Sequence, residues 1–238
     1  MSNIPLHIAL ILLFVVFSCL LVAIGIFKRS SMSPVGNIWT KRFIIGSVAL
    51  LGLHGLLTNF SSNEDAAQSG MFYCLYYGSC LIFISIFLFA KKSKEMTIKA
   101  SIKHLTIVQI FRAPVDLLVL WLISKSLLPE HFLEPIPYFG LIFGLTAPII
   151  WWIRKSKVRF NRRFIYAWNF MGLIFLLRWI INSITLLPNH GEFLQSNWMP
   201  FHFPMTWITG YLASVFFLAH AISIRNLWLF NLTKNEEN

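Results

Sequence analysis

Within the apolar run IVQIFRAPVDLLVLWL, residues 107–122, stand Gln109, Arg112 and Asp116. Residues three and four apart share a helix face, so on a helix these three form one polar stripe. Three kinds of chemistry are open to that stripe: an internal ion pair, a seat for a polar or ionisable ligand, or a proton relay through the carboxylate. An isolated charge at the centre of a bilayer costs roughly 2.5 to 3.5 kcal/mol even on insertion scales. Pairing of Arg112 with Asp116 is therefore the expected arrangement. Pro114 lies between them, has no N–H to donate and frees the carbonyl of Ile110, which predicts a kink. Further along the chain, His220 joins Gln109, Arg112 and Asp116 as a candidate internal polar site. His54, with Arg178 and Asn182 from LLRWIINSI, forms a candidate second layer nearer the opposite side. Histidine that bonds across helices is common glue in membranes, so each lone His also has a purely structural reading.

Other chemistries find less support. His7, His131, His190 and His202 accompany Glu130, Glu134 and Glu192 in a mixture able to bind a divalent cation, but none has HxxxH or HExxH spacing. The one set suited to a membrane-embedded metal hydrolase is His54, His220 and Asp116. No Gly-rich phosphate loop, GxSxG elbow or CxxCH haem site occurs, so no catalytic residue, metal site or cofactor is assigned. The last apolar run has no central Lys for a retinal Schiff base. Cys19, Cys74 and Cys80 form no CxxC pair and read as small apolar fillers.

The elements that must position these residues follow from composition. Hydrophobic residues make up 57% of the 238, charged residues only 12%, and the mean hydropathy of +0.68 takes the chain out of the soluble class. About 20 apolar residues cross the hydrocarbon as a helix. Seven stretches approach that length: 6–27, 43–60, 71–90, 105–128, 136–153, 164–187 and 205–230. The net charge of +11 is concentrated rather than scattered, and is not a nucleic-acid footprint. Lys28, Arg29, Lys41 and Arg42 fill the first gap; Lys91, Lys92, Lys94, Lys99 and Lys103 the third; Arg154, Lys155, Lys157, Arg159, Arg162 and Arg163 the fifth. The second, fourth and sixth gaps hold only acids, Glu64, Asp65, Glu130, Glu134 and Glu192. Since Lys and Arg are retained on the cytoplasmic side, the alternation predicts an all-α bundle of seven spans, N-terminus outside and C-terminus cytoplasmic, forming one domain over residues 1–238. The basic gaps then face anionic headgroups of the cytoplasmic membrane. In this orientation His220 comes to about the depth of Arg112, and His54 nearer that of Arg178.

The segments FRAPVDLLVLWL, GLTAPII, WNFMGLIFLL and FPMTWITGYLASVFFLAHAISIRNL resemble a family of uncharacterised bacterial multi-pass membrane proteins with FRxPV(D/E) and GLTAP motifs. The resemblance covers roughly the last three-fifths of the chain, from Ile107 onward. It implies a small helical inner-membrane protein and brings no activity with it. Carried over are Arg112, Pro114, Asp116, Thr146, Pro148, Asn169 and His220. The chain departs from the pattern in EPIPYFGLIFGLTAP, where relatives often have a polar run with an Asp before GLTAP; a function that needs that Asp would not extend to this chain.

Together these readings point to a membrane protein that binds or translocates a small molecule or ion at an internal polar site. A non-catalytic scaffold or sensor subunit is the alternative from another class, and a metal-dependent hydrolase a third. More of the sequence speaks against an enzyme than for one.

Overall fold

The computed structural model describes residues 5–30, 33–61, 70–126, 136–155, 162–185 and 204–236. Among them every regular element is helical: α1 (Leu6–Ser30), α2 (Pro34–Ser61), α3 (Gly70–Phe89), α4 (Ser93–Ile98), α5 (Ile102–Val108), a 3₁₀ turn (Gln109–Phe111), α6 (Arg112–Ser124), α7 (Ile136–Lys155), α8 (Arg162–Thr185), a π-helical stretch (Trp207–Leu212) and α9 (Ala213–Glu236). Five helical segments are long and apolar enough to cross a membrane: 6–30, 34–58, 102–124, 162–181 and 207–229. Leu75–Phe89 and Tyr138–Ile153 are apolar and shorter in their described parts.

The packing is that of a bundle with an apolar exterior. Leu6, Leu10, Phe14, Phe17 and Leu21 run down one open face of α1, with Phe14 74% exposed. Tyr138, Ile142, Leu145, Ile149 and Trp152 do the same on α7, and Phe170, Ile174, Leu177 and Ile181 on α8. Such continuous stripes at helical spacing are far larger than the apolar patches that a water-soluble monomer leaves open. They fit a membrane-embedded bundle. At its centre stands the π stretch with α9, which packs against α2, α3, α5 and α8. Residues 210–216 and 218–220 are buried without interruption. Small residues, Gly210, Ala213, Ser214, Ala219 and Ser223, let neighbours close in around it.

Several boundaries differ from the sequence expectation. α2 starts at Pro34 rather than near Phe43, because the Ser33 hydroxyl accepts the Gly36 N–H at 3.0 Å and proline suits the first helical turn. Lys41 and Arg42 are thus helical, and the Arg42 guanidinium lies 4.9 Å from the Trp39 ring centroid. α6 ends at Ser124, before Leu128, and the chain turns through Ser126 at φ 55°. Lys125 is therefore exposed beyond the helix and adds one basic residue to a gap read as purely acidic.

The gap at 91–104 is also more than a loop. Ser93, Met96, Thr97 and Ala100 are buried. Their backbone is met by α9: Arg225 donates to the Leu88 carbonyl at 2.9 Å and to the Thr97 hydroxyl. Asn226 Nδ2 reaches the carbonyls of Thr97, Ala100 and Ile98 at 2.9, 3.0 and 3.3 Å. Carbonyls at the ends of a six-residue helix lack partners of their own, and these donors supply them. Arg225→Met is expected to lose about 1.5–3 kcal/mol of stability, as for hydrogen bonds from a charged donor. Hydrogen exchange should rise at Ser93–Ile98; unchanged exchange would show that α4 holds without the clamp.

Candidate functional site

The helical run from Ile102 to Ser124 is broken where the proline predicts. Pro114 leaves the carbonyl of Ile110 without its N–H four residues on, and the backbone tightens into the 3₁₀ turn Gln109–Phe111. Gln109 lies in that turn and Arg112 directly after it, and both are buried, at 1% and 4% exposure. Gln109 Nε2 donates to the Phe216 carbonyl of α9 at 3.1 Å, and its Oε1 has no partner among the described residues. The Arg112 guanidinium lies 5.2 Å from the Phe143 ring centroid on α7 and 5.9 Å from that of Phe216. Those rings attract the cation but offer no directed acceptor, and Arg112 Nη1 is unpartnered among the described residues.

His220 stands one turn beyond Phe216 on α9 and is fully buried. Its Nδ1 is 3.0 Å from Asn169 Oδ1 on α8, and Asn169 Nδ2 donates to the Ile165 carbonyl at 2.8 Å. The amide nitrogen faces a carbonyl, so the amide oxygen faces the imidazole and the Nδ1 proton is donated to it. His220 Nε2 is then an acceptor, with no partner among the described residues. The edge of the ring meets Trp168 and Phe143, with centroids 5.3 and 6.0 Å away. Trp168 Nε1 in turn donates to the Thr146 hydroxyl at 3.1 Å. Phe143 thus touches both Arg112 and His220, and Thr146 and Asn169 stand behind them. Pro148 lies inside α7, which continues through it to Lys155.

The expected pairing of Arg112 with Asp116 is not formed at ion-pair distance. Asp116 is half-buried and its carboxylate lies over Gly140 on α7, where a Cβ would collide with it. Gly144, one turn on, sits against the backbone of Ala113. Two glycines four apart let α6 and α7 approach until only hydrogen fits between them. The slot above Gly140 takes the carboxylate, while Arg112 turns toward Phe143 and Phe216. The small residues of GLTAP, from Gly144 to Pro148, already point to close helix packing; Gly140 was missed, although GLIFG carries the GxxxG spacing that would have found it. Gly172 likewise abuts the His220 ring.

His54 belongs to a separate cluster. It is fully buried, its Nε2 lies 3.1 Å from Ser79 Oγ and 3.8 Å from Cys80 Sγ, and its ring stacks on Tyr76 at 4.5 Å. The Tyr76 hydroxyl donates to the Thr206 carbonyl at 2.9 Å and also meets the Thr209 hydroxyl. Gly210, within the π stretch, abuts the His54 ring, and its carbonyl accepts from Ser214 at 2.8 Å. Tyr76, Ser79, Cys80 and Thr209 carry no motif; the packing of α3 on α2 brings the first three to His54, and Thr209 comes from the π-helical stretch. Arg178 is exposed on α8, away from His54, and the side chain of Asn182 lies outside the described residues.

His54 and His220 occupy different clusters, and among the described residues no three His, Cys, Asp or Glu side chains are grouped as metal ligands. His7 lies 6.3 Å from the Trp121 ring. His131, His190, His202, Glu130, Glu134 and Glu192 lie outside the described residues, as does the side chain of Cys74. Comparison with protein-family models, curated proteins and solved structures gives no match.

The glycine contacts separate two kinds of close approach. Gly144→Ala sets a methyl group against the backbone of Ala113, and is expected to lower stability by about 1–3 kcal/mol in a thermal melt. Gly140→Ala meets the mobile end of Asp116 instead and should cost less. Gly25→Ala, with nothing within 4 Å of the added carbon, should be neutral or slightly stabilising as glycine leaves a helix. A Gly144 variant as stable as Gly25→Ala would show that α6 and α7 do not depend on this contact.

Proposed function

We propose that this chain is a seven-span protein of the cytoplasmic membrane, N-terminus outside and C-terminus inside, that binds or moves a small polar molecule or ion at Gln109, Arg112 and His220. Asp116 flanks the site on the same helix. The family of bacterial multi-pass membrane proteins with FRxPV(D/E) and GLTAP motifs is where we place it. The orientation rests on the fifteen basic residues in the first, third and fifth gaps, against the lone Lys125 on the other side. The basic gaps are proposed to meet anionic headgroups at the cytoplasmic face.

One observation carries the functional reading: Arg112 is 4% exposed, has no acid at ion-pair distance among the described residues, and has an unpartnered Nη1. Asp116, one helical turn on, offsets that charge only from beyond contact, which leaves part of the roughly 3–5 kcal/mol that a buried charge without its partner costs. A residue kept under that penalty serves something other than folding, and a polar ligand is what such a site would complete. The scaffold reading draws on a different observation, the fit of Gly172 and Gly210 against the two buried His rings, which holds helices in register without any ligand.

Melting of Arg112→Met in mild detergent discriminates the two. A binding arginine costs stability, so the variant should melt at the same temperature as the parent or higher. A lower melting temperature would favour the scaffold. Asp116→Asn should likewise fold normally. The orientation predicts that a C-terminal tag resists protease in intact spheroplasts and is cut in inverted vesicles; the reverse pattern overturns it.

A further inference from the structure

The ends of three helices meet where α5 begins. Arg29 lies in the last turn of α1, Lys103 and His104 in the first turn of α5, and Trp151 one turn before the end of α7. α5 packs against both α1 and α7. The Lys103 ammonium is 5.6 Å from the Trp151 ring centroid, and His104 lies within electrostatic reach of Lys103 and Arg29. Arg29 is exposed, and Lys103 and His104 are half-buried. None of these three side chains is hydrogen-bonded or ion-paired among the described residues. The one acid whose side chain is described, Asp116, stands about 20 Å further along the helix. Basic groups gathered without an acid leave room for an anion from outside the chain, and a phosphate accepts charge-assisted hydrogen bonds from several such donors at once.

The surface that continues from this cluster is apolar. Ile107, Ile110 and Pro114 follow Lys103 at helical spacing and are half-buried, on a helical run that α1 and α7 both pack against. Leu117, next on the same face, is 54% exposed. Charge thus stands at one end of a hydrocarbon-facing strip about as long as one leaflet is deep. The indole of Trp151 marks the level, because tryptophan collects at the depth of the headgroups.

Three kinds of anion can be set against that arrangement. Free phosphate answers the charges and leaves the strip untouched. An acidic peptide does the same and has no reason to sit at the head of an apolar strip. A phospholipid meets both parts, and basic clusters between spanning helices are the setting in which anionic headgroups are held. We infer that one anionic phospholipid seats here, its phosphate on Arg29, Lys103 and His104 and an acyl chain along Ile107, Ile110, Pro114 and Leu117; this rests on the reading that the basic gaps meet anionic headgroups, and narrows it to one bound lipid.

The test uses the whole protein in mild detergent and three probes: phosphatidylglycerol, phosphatidylcholine and inorganic phosphate. Thermal melts at increasing concentration give an apparent affinity for each. Phosphatidylglycerol is expected to bind about tenfold more tightly than phosphatidylcholine, and inorganic phosphate to give no shift at the same concentration. Arg29→Gln with Lys103→Gln should remove the preference for phosphatidylglycerol. Lys91→Gln with Lys92→Gln takes the same charge from exposed positions in the same basic gap, and should leave the preference intact. The comparison of probes on the unsubstituted protein decides the matter even if a variant folds poorly. Equal stabilisation by the two lipids, or no shift with either, overturns the site. Inorganic phosphate reproducing the whole shift overturns the lipid as occupant. An equal loss from the Lys91 and Lys92 pair overturns the local seat and leaves the general contact of the basic gaps with headgroups standing.

Discussion

Close contact between helix backbones is the constraint on which the rest of this structure depends. In lipid, apolar side chains gain nothing by leaving one hydrocarbon surface for another, so helices associate through van der Waals fit and hydrogen bonds. Both fall off steeply with separation. Glycine sits under three of the polar groups that are brought in, Gly140 under Asp116, Gly172 under His220 and Gly210 under His54, with Gly144 closing α7 on Ala113. Side chains at those positions would push apart the surfaces that enclose the polar groups.

Irregular backbone accompanies both polar clusters. The 3₁₀ turn Gln109–Phe111 carries the first, and the π-helical stretch Trp207–Leu212 borders the second. A helix that departs from its regular bonding exposes carbonyls and shifts the phase of the side chains that follow. In a membrane such departures are tolerated where protein groups take up the freed carbonyls. Tyr76 and Ser214 do so at the π stretch, bonding the carbonyls of Thr206 and Gly210. Around Arg112 the accounting is left open, as it also is at His54 Nδ1 and the Thr206 hydroxyl, so each cluster keeps buried polar atoms with no partner among the described residues.

Much of this was legible in residue order. Apolar runs marked the helices because covering hydrocarbon needs length and nothing else, and Pro114 marked the break because a missing N–H has only local consequences. Lys125 shows where such reasoning stops. The apolar run continues past it, and only the turn at Ser126 places it outside the helix. The 91–104 gap shows the same limit, since its buried face is created by Arg225 and Asn226 from the far end of the chain. Cys80 read as filler, and it lies beside His54 because the successive helices α2 and α3 pack face to face there.

The sequence by itself determined the chemistry available: which runs are apolar, where charge collects, and that Gln109, Arg112 and Asp116 share a helical stripe near a proline. Those properties follow from composition and from a fixed helical period. Only the tertiary structure decided that Arg112 faces two phenyl rings rather than Asp116, that His220 leans on Asn169, and that His54 stands apart with Tyr76. A side chain of several rotatable bonds takes its direction from the space a neighbouring helix leaves, and that space is set by glycines on another part of the chain.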